Sequence, residues 1–172
     1  MAGAKVILHG AIGSGKSTAA RAAMRRLDWT RSAGFFTHWG GATRGAETLY
    51  FETWAGEKRP MARRRAESGA AGNPPYELDA DFARLAAARL SSAGAAPVVI
   101  DELGLVEADS APFAAAVAGL FRGPAPVLAV IQDRALARWL GVIKPTANPQ
   151  VMRVDAASRD ALPEAIAALF RP

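Results

Sequence analysis

Residues 10–17 read Gly-Ala-Ile-Gly-Ser-Gly-Lys-Ser, which satisfies the pattern GxxxxGK[ST]. Lys5-Val6-Ile7-Leu8-His9 before it is a short apolar run, the mark of a buried strand. Lys16 to Leu27 after it is rich in strong helix formers. A strand, a glycine loop and a helix in that order form a phosphate-binding loop. Glycines let the backbone wrap a phosphate with its N–H groups turned inward. The helix N-terminus adds the positive end of its dipole. The candidate nucleotide-binding residues are therefore Gly10, Ala11, Ile12, Gly13, Ser14, Gly15, Lys16, Ser17 and Thr18. Lys16 is expected to reach the β- and γ-phosphates and Ser17 to ligate Mg²⁺, with ATP, GTP or a related nucleotide as substrate.

The pattern downstream predicts an α/β fold. Gly34-Phe35-Phe36-Thr37 and Thr48 to Trp54 read as strands joined through Gly40-Gly41, which favours an antiparallel hairpin. Residues 55–75 hold Gly56, Pro60, Gly69, Gly72, Pro74 and Pro75 and read as a long mobile excursion with at most a short strand inside. Helices are expected over Asp79–Leu90, from a Ser110 cap to Phe121, over Arg134–Leu140 and over Ser158–Phe170. Strands are expected at Pro97–Ile100, Val127–Ile131 and Gln150–Val154. Apolar strands alternating with helices imply a mostly parallel sheet covered on both faces, with the hairpin as an antiparallel addition. Residues 1–172 read as one domain, without repeat or linker.

The strand at 97–100 runs into Asp101-Glu102. Ligands of open α/β sheets bind at the C-terminal edge of the strands. Asp101 is expected to hold Mg²⁺ through water. Glu102 is expected to polarise an attacking water as general base, which makes Lys16 and Glu102 the catalytic candidates. Glu57 to Arg65 carries five basic residues and one acid. It reads as a solvated loop, a phosphate-facing lid with an arginine finger, or a docking patch. Arg21, Arg25 and Arg26 read as a solvated helix face. Tyr50, Phe51 and Trp54 read as packing or as the edge of a pocket. Ile131-Gln132-Asp133-Arg134 stands where guanine-specific proteins show [NT]KxD, and it lacks the lysine.

Composition excludes other classes. Hydrophobic residues are 51% and charged residues 22%, a globular rather than a disordered balance. Without cysteine there is no disulfide, zinc ribbon or thiol catalysis. His9 and His38 alone make no histidine-rich metal site. The +5 net charge is spread along the chain, which suits small anions better than nucleic acid. No stretch reaches the roughly 18 apolar residues of a membrane span, and the N-terminus shows no secretory h-region. These readings place the chain in the cytoplasm.

Four motifs together resemble a known family, the small P-loop nucleoside-triphosphatases that include the human cancer-related enzyme and its archaeal and bacterial relatives. They are the loop at 10–17, Gly34-Phe35-Phe36-Thr37, Tyr76-Glu77-Leu78-Asp79 before Phe82, and Val99-Ile100-Asp101-Glu102-Leu103-Gly104-Leu105-Val106-Glu107. The last resembles the family's V-I-D-E-I-G-K-M-E. The resemblance implies a P-loop NTPase three-layer sandwich of RecA-like or kinase-like type. It also implies slow Mg²⁺-dependent hydrolysis of several nucleoside triphosphates, with Gly104 allowing close backbone approach near the γ-phosphate. Glu107 carries no assigned role. Leu105 and Val106 replace the family's Lys and Met. The alternatives are a small-molecule or nucleotide kinase and a nucleotide-dependent accessory or switch protein in cofactor or metal-centre assembly, which would bind a protein partner.

Overall fold

The computed structural model describes residues 3–44, 46–65 and 76–171. Among these, eight strands form one sheet in the order β5-β4-β3-β2-β6-β7-β1-β8. The strands are β1 Lys5–Gly10, β2 Ala33–His38, β3 Thr48–Thr53, β4 Lys58–Arg64, β5 Tyr76–Leu78, β6 Val98–Leu103, β7 Val127–Gln132 and β8 Gln150–Arg153. The helices are α1 Lys16–Arg26, α2 Ala80–Ser91, α3 Leu105–Ala108, α4 Ala111–Arg122, α5 Asp133–Ile143 and α6 Leu162–Phe170. Pairs β2·β6, β6·β7, β7·β1 and β1·β8 are parallel. Pairs β2·β3, β3·β4 and β4·β5 are antiparallel.

The central parallel strands β1, β6 and β7 are mostly apolar and buried because both faces of the sheet are covered there. Side chains alternate between faces along a strand. Val6, Leu8, Val99, Leu128 and Val130 pack with Ala20, Ala23 and Met24 of α1 and Ile166 of α6. Ile7, Ile100, Ala129 and Ile131 face the other way, onto α2, α4 and α5 through Phe82, Phe113 and Trp139. Phe35 joins the two ends of that second core, with ring contacts to Phe51 and Phe82 at 5.8 Å. Among the described residues no helix is long and apolar enough to cross a membrane.

Two helix starts follow from side-chain caps. Asp79 accepts from the backbone N–H groups of Asp81 and Phe82 at 2.9 and 3.2 Å. Ser110 accepts from Phe113 at 3.5 Å, and Pro112 sits in the first turn of α4. The last helix starts at Leu162 rather than Ser158. Asp155 instead closes a turn by accepting from Ala157 and Ser158, each at 3.0 Å.

Residues 55–65 correct the expected excursion. Lys58–Arg64 is a seven-residue strand paired on both sides. Pro60 hid it, because proline donates no ladder hydrogen bond. The register shifts between Leu49 and Tyr50, and Pro60 faces Tyr50 there. Only Met61 and Ala62 of this strand are buried, so its apolar signal is weak. The remainder of the excursion, residues 66–75, lies outside the described residues.

Candidate functional site

β1 ends at Gly10, and α1 begins at Lys16. The loop between them needs Gly13 and Gly15 in the left-handed region, at φ +78° and +96°. The Lys16 ammonium turns back under the loop and donates to the carbonyls of Gly10 and Ala11 at 2.9 and 2.8 Å. It is 6% exposed and lies 4.0 Å from Glu102 Oε2. Ser17 Oγ donates to Asp101 Oδ1 at 2.8 Å. The candidates from the loop and from β6, 84 residues apart in the chain, thus meet at one point.

Asp101 is almost fully buried, and burial pushes its carboxyl up to about 6, against the pull of the Ser17 hydroxyl. The Ser17 hydroxyl and Asp101 carboxylate are hard oxygen donors, and a cation beside Asp101 would offset its lost hydration. Mg²⁺ is commonly held by one or two protein oxygens plus substrate phosphates. This pair fits that pattern, although the described residues contain no group of three or more acids and histidines that could hold a metal ion.

Glu102 is fixed from several directions. Its backbone N–H donates to Thr37 Oγ1 at 3.4 Å. Its Oε1 accepts from the Gln132 amide, whose own oxygen accepts from Arg134 Nε at 2.8 Å. The β6·β7 register shifts between Asp101 and Leu103, so Glu102 has no partner position on β7. The Lys16, Ser17, Asp101, Glu102, Gln132 and Arg134 side chains border a cavity of about 690 Å³. Ile12, Gly13, Gly15, Lys16, Ser17 and Thr18 line it, as do Thr37, Asp101, Glu102, Gln132 and Arg134. Gly10, Ala11 and Ser14 do not line it, but the Gly10 and Ala11 carbonyls seat Lys16.

Three neighbours of the candidate site had other readings in sequence, Arg21 as a solvated face and Gln132 and Arg134 as part of the stretch that lacks a guanine-motif lysine. Gln132 and Arg134 stand at the end of β7, which lies between β1 and β6, and the strand-edge rule would have singled them out once that order was known. Arg21 is half-exposed but not merely solvated. Its Nε lies 4.0 Å from Asp101 Oδ2, and its guanidinium covers the Phe36 and Trp54 rings at 4.9 and 5.9 Å. Trp54 is held there by its N–H bond to the Val99 carbonyl at 2.9 Å. Phe51 is core, and Tyr50 stacks on His38.

The arginine-rich segment does not reach this cavity. Arg59, Arg63, Arg64 and Arg65 are absent from its lining, whose arginines are Arg44 and Arg134. Arg59 pairs with Glu57 at 3.1 Å, and Glu57 also pairs with Arg89. β4 lies three strand positions from β6, roughly 14 Å away.

Glu107, which had no role in sequence, is 3% exposed and accepts from the Gly104 N–H at 3.1 Å. The Gly104 carbonyl accepts from Trp139 Nε1 at 2.9 Å. A side chain on Gly104 would meet Glu107 Oε2 at 3.0 Å, so glycine lets this carboxylate close the turn into α3. Burial pushes the Glu107 carboxyl up to about 7, against the backbone N–H groups that favour its anion. A raised folded-state value means that folding retains a proton which the unfolded chain releases. Stability from this group is full below about 4.5, the unfolded value, and is lost as pH rises through about 7. The loss is at most about 3 kcal/mol. Urea midpoints at several pH values are expected to fall less between these limits in Glu107→Gln than in the parent. Equal slopes would dismiss the assignment.

The NTPase family matches this chain over residues 5–167. The chain belongs to that family. The solution structure of a human cancer-related nucleoside triphosphatase superposes with a TM-score of 0.73 at 25% identity, covering 96% of both chains. The crystal structure of THEP1 from the hyperthermophile Aquifex aeolicus superposes at 0.76, with 24% identity over 98% of this chain and 99% of that one. Among curated proteins, no sequence matches the chain. The NTPase match and the two folds agree with the α/β P-loop architecture, and membership supports nucleoside-triphosphate hydrolysis as the general activity.

Proposed function

We propose that this NTPase cleaves the β–γ bond of several nucleoside triphosphates in a Mg²⁺-dependent reaction with little discrimination between bases. The observation that carries the reading is the meeting of Lys16 with Glu102 at 4.0 Å beside the Ser17–Asp101 pair at 2.8 Å. The loop N–H groups and the N-terminus of α1 cradle the phosphates. Lys16 exchanges its carbonyl partners for β- and γ-oxygens. Ser17 and Asp101 would hold Mg²⁺, which neutralises phosphate charge when bound. Glu102, steadied by Gln132, takes a proton from water as the water oxygen bonds to the γ-phosphorus. The bond from that phosphorus to the β–γ bridging oxygen breaks, and the diphosphate leaves.

Weak base discrimination follows from what faces the phosphates. Recognition runs through backbone and phosphate contacts, which every nucleotide shares. Asp133, the acid of the 131–134 stretch, is held by His9 Nδ1 at 2.8 Å, and Arg134 stands where the [NT]KxD pattern has its acid.

The test is phosphate release by the purified protein with ATP, GTP, CTP and UTP in turn, with and without Mg²⁺. Slow release from all four, dependent on Mg²⁺ and lost in Lys16→Ala, is expected. Release from one nucleotide alone would overturn the broad specificity. Tight binding without any release would overturn hydrolysis as the isolated protein's activity.

A further inference from the structure

The cavity continues well past the phosphate loop. Across the sheet the strands run β1, β7, β6, β2, β3, at roughly 4.8 Å per step. The loop follows β1, and Glu102 stands two steps away on β6. If the proposed function is right, the terminal phosphate faces Glu102 and the other phosphates lie back along Lys16–Thr18. The far half of the cavity lies beyond β6, at the ends of β2, β3 and β5 and against α3. The ends of β2, β3 and β5 are three or more steps from β1, roughly 14 Å or further. A nucleotide anchored on the loop leaves that half to another molecule.

The chemistry of this half differs from that of the loop. Trp39 and Tyr76 form a continuous aromatic wall, with ring centroids 5.3 Å apart. The Tyr76 hydroxyl is committed to the Ala46 carbonyl at 2.7 Å, which fixes the ring. Leu49, Leu105 and Val106 add apolar surface, and Arg44 supplies a guanidinium. Among the described residues that line this side, the acid is Glu107, whose carboxyl oxygen accepts from the Gly104 N–H. Flat aromatic and aliphatic walls favour a planar ring, and the Arg44 guanidinium favours a negative charge.

We propose that the half of the cavity lined by Trp39, Leu49, Tyr76, Leu105, Val106 and Arg44 binds a second molecule, a planar aromatic ring carrying an anionic group, beside the terminal phosphate of the bound nucleotide. Nucleoside monophosphates and non-nucleotide aromatic anions share this chemistry. A molecule seated there borders the position from which Glu102 deprotonates water.

Of the four tryptophans, Trp39 alone lines the cavity. The protein is first saturated with Mg²⁺ and a non-hydrolysable ATP analogue, which occupies the loop. Tryptophan emission is then followed during titration with AMP, with GMP and with benzenesulfonate. Saturable quenching is expected, absent in Trp39→Phe and shifted about tenfold to higher concentration in Arg44→Ala. Response to the monophosphates alone marks a nucleotide subsite, and response to benzenesulfonate as well marks a broader aromatic-anion subsite. Analogue binding and circular dichroism verify that both variants are folded. No Trp39-dependent quenching by any of the three, or quenching that vanishes once the analogue fills the loop, overturns the proposal. Phosphate release without titrant is measured in parallel, so failure of the hydrolase reading registers separately from failure of the subsite.

Discussion

Glu102→Gln is expected to slow phosphate release by about 10²–10⁴-fold while nucleotide affinity stays within about threefold. The amide cannot accept the proton of the attacking water, yet it has almost the same shape as the carboxylate. Its oxygen still accepts from Gln132, so the side chain stays where Glu102 stands. Lys16, 4.0 Å away, loses an anionic neighbour but keeps the Gly10 and Ala11 carbonyls. Single-turnover phosphate release and a fluorescent-nucleotide titration on the same protein separate the two effects. Turnover that survives the substitution would remove Glu102 as the base. Affinity and rate falling together would make it a residue that holds the site open rather than one that moves a proton.

Gly10→Ala is expected to damage fold and binding together. A Cβ at Gly10 would lie 2.4 Å from the Val154 carbonyl oxygen and 2.7 Å from Ser14 Oγ. The Val154 oxygen is backbone, and its residue is pinned by an N–H bond to the His9 carbonyl at 2.7 Å. Either the loop or the end of β8 must move. The cost is about 1–3 kcal/mol, a fall in Tm of roughly 2–12 °C for a chain of this size. The Gly10 carbonyl seats Lys16, so nucleotide affinity is expected to drop by at least about tenfold. Gly13→Ala is the comparison. Its Cβ meets nothing within 4 Å, and the variant bears only the strain of φ +78°, about 1–2 kcal/mol. Calorimetry and the same titration check both. An unchanged Tm and affinity in Gly10→Ala would show that β8 yields without resistance.

The arginines show where sequence reasoning stopped. Arg59, Arg63, Arg64 and Arg65 form the densest basic run, and density made them the natural candidates for touching phosphate. They sit on or just after β4, away from the cavity. Arg44 and Arg134 line it instead, and Arg21 sits against Asp101, each from a stretch without a basic cluster that reaches the site. Charge density along a chain reports local solvation, whereas access to a cleft depends on strand order. Glu107 shows the same limit, because its burial and its bond to Gly104 follow from packing under α3.

The sequence by itself determined the β1–loop–α1 unit, the apolar strands and the carboxylates at the end of β6. Each is a local pattern: glycines at fixed spacing, a buried run, an acid pair at a strand edge. Only the tertiary structure decided that β7 lies between β1 and β6, that Gln132 therefore holds Glu102, and that Pro60 lies within a strand. It also decided that Gly10 is crowded by the Val154 carbonyl as well as placed for phosphate. The physical reason is common to all four. Pairing between strands far apart in the chain is chosen by the packing of both sheet faces at once, and no local run of residues records which neighbour wins.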